Sequence, residues 1–103
     1  MNPQPEPGRP RLPALMPRKR DEVLVADFDT ELVVLEPDDR QAHHLDEGLS
    51  LVLTSCDGRT PSAEVVAEVM TATGDDRVSV EAWLVSCLDR LDELKMFAPA
   101  AED

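Results

Sequence analysis

Aromatic residues are scarce in this chain of 103: Phe28, Trp83 and Phe97 are the full set, and none lies in the first 20 residues. That stretch therefore offers nothing to stack on nucleic-acid bases. Cysteine is almost absent too, with Cys56 and Cys87 standing 31 positions apart. Two so widely spaced exclude a disulfide scaffold, and they lack the close pairing of a zinc knuckle or redox motif. No apolar run approaches the ~20 residues that span a bilayer, and Met1–Arg20 has no apolar core of a secretion signal, so a cytoplasmic location is expected. There is no Gly-rich phosphate loop, no G-x-S-x-G and no H-E-x-x-H. Large multi-domain enzymes are excluded by length, because a chain this short buries only ~60% of its unfolded surface and supports one modest core.

What the chain does have is acid. Twenty-two acidic side chains face 10 basic ones, for a net charge of −12. The charge is unevenly spread. Residues 1–20 hold Arg9, Arg11, Arg18, Lys19 and Arg20 against Glu6 alone, a net +4, whereas the remaining 83 residues hold 21 acidic and five basic side chains, a net −16. Six of the nine prolines also fall in residues 1–20, at positions 3, 5, 7, 10, 13 and 17. Proline neither continues a helix nor donates to a sheet ladder, so residues 1–20 are expected to form a disordered basic tail, either a solubilising linker or a dock for an acidic partner. The folded domain is expected over residues 21–98, with a frayed end at 99–103.

From residue 21 the pattern becomes short extended runs separated by breakers. Val23–Ala26 and Glu31–Leu35 read as strands joined by a turn at Asp29-Thr30, and Pro37–Arg40 is a second turn leading to a third strand over Gln41–Leu45. Counting back from the turns places Val34 opposite Val25 and His43, and Val33 opposite Ala26 and His44. The product is an antiparallel meander whose third strand is a free edge, presenting unpaired N–H and C=O groups.

Three helices follow. Asp46 is a good N-cap, with Glu47 in the first turn, and Leu49, Val52, Leu53 and Cys56 form an apolar stripe up to Asp57-Gly58. A second helix is capped by Thr60 with Pro61 at its first position, and Ala63, Val66, Ala67 and Met70 form its expected buried face. Ser79 is the expected cap of the third, whose core stripe is Val80, Leu84, Cys87, Leu88 and Leu91. Trp83, Cys87, Arg90 and Leu94 widen that stripe on an adjoining face. Met96–Pro99 reads as an apolar tail tucked against the domain. The fold class is α+β and winged-helix-like.

Each chemical reading meets a physical objection except one. His43 and His44 invite a metal, but adjacent strand residues point to opposite faces, so no metal or cofactor is expected. The cysteines lie on apolar stripes as small hydrophobes, and the carboxylates are scattered, so no catalytic residue is assigned and a non-enzyme is expected. A winged-helix regulator binding DNA or a protein partner is the alternative the fold invites. DNA affinity needs a basic face, and the third helix offers Arg90 and Lys95 against Glu81, Asp89, Asp92 and Glu93. The edge strand remains. An extended peptide adding antiparallel to Gln41, Ala42, His43, His44 and Leu45 would find its second wall in Trp83, Cys87 and Arg90, with basic and aliphatic side chains complementing the acidic body. Trp83 as simple core filler is the competing account.

Leu32–Pro37, then His44–Glu47, then Cys56-Asp57-Gly58-Arg59-Thr60, then a long C-terminal helix bearing Leu88, Leu91 and Leu94, resemble the PqqD-type family. Its members are small peptide chaperones also called RiPP recognition elements. The resemblance covers roughly residues 21–98. It implies a three-strand, three-helix domain that binds the leader of a ribosomally made precursor peptide beside the third strand and against the third helix. It further implies presentation of that leader to a modifying enzyme, often a radical SAM maturase; from the charge distribution and the lack of a long apolar run, neither nucleic acid nor membrane is expected as a partner.

Overall fold

A computed structural model of the chain describes residues 12–29, 31–36, 38 and 40–98. Three strands, β1 (Leu24–Phe28), β2 (Glu31–Glu36) and β3 (Gln41–Leu45), precede three helices, α1 (Glu47–Thr54), α2 (Ser62–Thr73) and α3 (Arg77–Glu93). The strands form one antiparallel sheet in the order β1-β2-β3. Val34 pairs with Val25 and His43, and Val33 with Ala26 and His44, the register expected from the turns. β1 starts one residue later and ends two later than Val23–Ala26. Val23 is buried ahead of the strand, and pairing runs through Phe28 because the chain reverses only at Asp29, in the left-handed region at φ 61°. Thr30, Pro37 and Asp39, which belong to the two expected turns, lie outside the described residues.

One face of the sheet meets the helices. Val34 and Leu45 are fully buried there against a core that includes Val52, Leu53, Val66, Leu84 and Leu91. α1 follows β3 with only Asp46 between them, and the Asp46 carboxylate accepts the Leu49 N–H at 2.8 Å. Buried Ser50 then ties the helix to the sheet. Its hydroxyl accepts from the Leu32 N–H (2.9 Å) and donates to the Leu45 carbonyl (3.2 Å).

The two later helices begin elsewhere than expected. Thr60 does not cap α2, because its N–H and hydroxyl, with the Arg59 N–H, all donate to Asp57 at 2.8 Å. Those donors hold the exposed Asp57 carboxyl down at about 2. Pro61 takes the cap position instead, and α2 buries Ser62, Val65 and Val66, leaving Ala63 and Ala67 exposed and Met70 half-buried. Two consecutive valines outweigh the alanines in setting the buried phase, since a valine gains more than an alanine from leaving water. α3 is capped by Asp76, which accepts the Ser79 N–H at 3.3 Å, so Ser79 lies inside the first turn. Its stripe of Val80, Leu84, Cys87, Leu88 and Leu91 is buried as expected, and so is Met96 behind it.

The expectation of a disordered tail over 1–20 is corrected for residues 12–20, while residues 1–11 lie outside the described part. Met16 is 1% exposed. Its N–H donates to the Thr60 carbonyl (2.8 Å), and the Ser62 hydroxyl points at its sulfur (3.7 Å). Lys19 N–H donates to Cys56 (3.1 Å), Arg20 N–H to Met96 (2.9 Å), and the Ala98 N–H returns to Arg18 (2.8 Å). The segment is a strap sewn to the α1–α2 loop and to the C-terminal residues. Its prolines fit an extended strap because the hydrogen bonds run through the residues between them. Nor are its charges held out for an acidic partner. Arg20 bonds Glu36 (3.4 Å), Asp38 (3.2 Å) and the Lys95 carbonyl (3.1 Å), Lys19 caps the Arg20 and Val23 carbonyls, and Arg18 faces Asp21.

Met16→Ala is therefore expected to lower stability in urea unfolding by about 2–5 kcal/mol, the cost of emptying a core site. A loss below ~0.5 kcal/mol, the size of a surface effect, would return the segment to the status of a tail.

Candidate functional site

β3 pairs with β2 on one side only. Along it Gln41, Ala42 and His44 are exposed, His43 is half-buried, and Leu45 is 1% exposed. Side chains alternate across a strand, so Ala42 and His44 lie on the sheet's outer face and His43 and Leu45 on the inner. On that outer face His44 Nε2 sits 2.7 Å from Glu31 Oε1. Leu45, committed to the core, has only its backbone to give to a ligand.

The C-terminal half of α3 is tied to both ends of β3. At the β2–β3 turn, Arg20 joins Glu36 and Asp38 to the Lys95 carbonyl just past α3. At the other end, Asp46 lies close enough to Cys87 to act on its thiol, which burial first and then this carboxylate push up to about 11. Beside it, Trp83 lies over the first turn of α1, where a Cβ on Gly48 would meet the indole Cζ2 at 3.2 Å. β3 and α3 thus run antiparallel, bridged by α1.

The expected site residues converge unequally. Trp83 and Cys87 stand at the Asp46 end of β3, the indole half-buried and the thiol 7% exposed. Arg90 follows on the same stripe one turn further along, its side chain 60% exposed and its guanidinium 3.5 Å from Glu93 Oε1 on its own helix. Gly48 was not among the expected residues, yet it carried a signal. A glycine inside a helix costs about 1 kcal/mol relative to alanine, so its presence at 48 marks a close approach, here of Trp83.

Neither cysteine is set up as a nucleophile. Cys56 donates to the Val52 carbonyl at 3.2 Å, and burial, with Asp57 adding to it, pushes its thiol up to about 12. Among the described residues no three His, Cys, Asp or Glu side chains form a group able to hold a metal.

The sequence model of coenzyme PQQ synthesis protein D, PqqD, matches residues 31–96. The chain belongs to the PqqD family. The match runs from the first residue of β2 to Met96, and so takes in the sheet edge, the bridging helix and the whole of α3. Among solved structures this PqqD-family chain is similar to TbiB1, determined in complex with the TbiA(beta) leader peptide. The two are 24% identical with a TM-score of 0.72, over 82% of this chain and 99% of that one. That likeness is one of fold. No curated protein matches the sequence. Among the described residues no helix is long and apolar enough to cross a membrane.

With thiols at about 11 and 12, a vanishing fraction is thiolate at pH 8, and thiolate is the reactive form. Ellman's reagent added to the native protein at that pH is expected to label Cys56 and Cys87 only at the rate of unfolding, and fully in urea. Prompt labelling of either in the folded state would show that its burial is wrong.

Proposed function

We propose that this PqqD-family protein binds the leader segment of a ribosomally synthesised precursor peptide as a fourth strand, antiparallel to β3, and presents it to a modifying enzyme such as a radical SAM maturase. It acts as a non-catalytic chaperone. The observation that carries this reading is the open edge at Gln41–Leu45, where β3 is bonded to β2 on one side only. TbiB1, which shares the fold, was solved with a leader peptide.

The energetics say what side chains must add. A strand opposite five residues gains up to about five backbone hydrogen bonds, each worth ~0.5–1.5 kcal/mol net, or roughly 3–7 kcal/mol in all. A micromolar complex needs about 8 kcal/mol after the cost of ordering the peptide has been met. Backbone pairing alone falls short, so apolar burial against Trp83 and the Cys87 side of α3 supplies the rest, the part that reads sequence. Ala42 offers no bulk to obstruct an incoming strand, and His43, His44 and Gln41 bring polar groups to its rim. The net charge of −16 on residues 21–103 favours a ligand with basic side chains, mainly by speeding encounter.

The test is an N-methyl scan of a synthetic leader-type peptide selected for binding from a random display library. Methylating one backbone nitrogen at a time is expected to weaken binding at least ~10-fold at alternate positions over about five residues, with the positions between tolerated, because only every second N–H of an added strand faces β3. A flat profile, or one with a helical period, would overturn strand addition. Trp83→Ala is expected to cost more than ~1 kcal/mol of affinity in calorimetry, with circular dichroism reading the fold separately.

A further inference from the structure

Beside Glu47 and Gly48, just past the end of β3, lies a cleft of about 610 Å³ that strand addition does not use. Its apolar wall is made by Leu51 of α1, Val69 and Ala72 of α2, and Val80 and Trp83 of α3. Leu51 is 49% exposed, so this wall is open to solvent rather than sealed. Three carboxylates edge the opening: Glu47, Glu68 and Asp75. Among the described residues no basic side chain pairs with any of them; Arg77, on the next helix, is taken by Glu81 at 3.8 Å.

Two features connect this cleft to the proposed strand site. Trp83 belongs to both, its indole lying on Gly48 between them. Direction supplies the other. β3 runs from Gln41 to Leu45 and enters α1 at Glu47, so a peptide antiparallel to β3 has its N-terminal side at Leu45. The residues upstream of the paired strand therefore emerge beside Glu47 and Gly48.

We propose that the cleft is a specificity pocket for the segment of the leader just upstream of the β3-paired strand, taking one large aliphatic side chain against Leu51, Val69 and Trp83, with an adjacent Lys or Arg held by Glu47, Glu68 and Asp75. The proposal rests on the strand-addition reading. It assigns a second anchor, about one turn of α1 away from the first, and a charge pattern for the ligand. An aliphatic side chain leaving water there contributes on the scale of a core contact, while the carboxylates act through a field that salt screens. Affinity for the upstream residue is thus divided into a salt-insensitive part and a salt-sensitive one.

The experiment uses the full chain and one fluorescein-labelled peptide enriched from a random 18-residue phage library. Two pocket variants sit at exposed positions, Ala72→Trp to fill the cleft and Glu68→Lys to reverse its rim. The enriched sequences are expected to carry an aliphatic residue with Lys or Arg beside it, N-terminal to the strand mapped by N-methylation. Ala72→Trp should weaken the full peptide at least ~10-fold and leave a peptide lacking those upstream residues unaffected; Glu68→Lys should weaken it about 3-fold or more at low salt, with the difference shrinking as salt is added. Wild-type affinity in both variants, with alternate N-methylation still abolishing binding, would overturn the pocket and leave strand addition standing. A flat N-methyl scan would overturn both, as would a library that enriches no peptide.

Discussion

The junction between β3 and α1 is the constraint on which the arrangement depends. One residue, Asp46, separates strand from helix, and Ser50 one turn later holds the Leu45 carbonyl and the Leu32 N–H on a single buried hydroxyl. Each bond is worth about 1 kcal/mol net, but a buried donor left without its partner costs ~1–3 kcal/mol, so the clamp is enforced more by the penalty for opening than by the gain on closing. With α1 held under the sheet, α3 packs on α1, and its C-terminal half is brought near the two ends of β3. The edge of the sheet stays open because the chain, leaving β3, turns beneath the sheet instead of adding another strand.

The β2–β3 turn is held by charge. Glu36 is 1% exposed, and a buried carboxylate needs a partner. Arg20 supplies it while also reaching Asp38 and the Lys95 carbonyl, so one guanidinium ties the strap, the β2–β3 turn and the end of α3 together. A surface ion pair is worth little, but this arginine is largely covered and its bonds run to three separate segments. The basic residues at 18–20 thus serve the domain's own acidic body. The unneutralised acid elsewhere on the body sets the electrostatic character that a ligand would meet.

Much of this was legible in the sequence where local chemistry decides. Counting back from the expected turns gives the register that pairs Val34 with Val25 and His43, and a 3.6-residue period revealed the buried stripe of α3. Legibility failed where a residue had two possible uses. Thr60 looks like a helix cap, but Asp57 three residues earlier competes for its N–H and hydroxyl and takes them. Ser79 looks like another cap, but Asp76 three residues earlier does that work. Residues 12–20 have the composition of a disordered tail, and composition does not show that Met16 has a core site waiting or that extended backbone can be sewn to two distant loops. At the candidate site, the free edge followed from strand order, whereas the seat of Trp83 on Gly48 and the nearness of Asp46 to Cys87 depend on helix packing that no local pattern encodes.

The central claim is that the edge of β3 receives a strand, and the backbone amides of that edge report on it directly. Amide hydrogen exchange followed by NMR, with and without a selected leader-type peptide, reads each N–H of residues 41–45 separately. Alternate amides in this stretch, those turned away from β2, are expected to go from fast exchange to strong protection when peptide is bound, while those already bonded to β2 change little. Protection that appears only on the helices, with the outward amides of 41–45 still exchanging freely, would contradict the account.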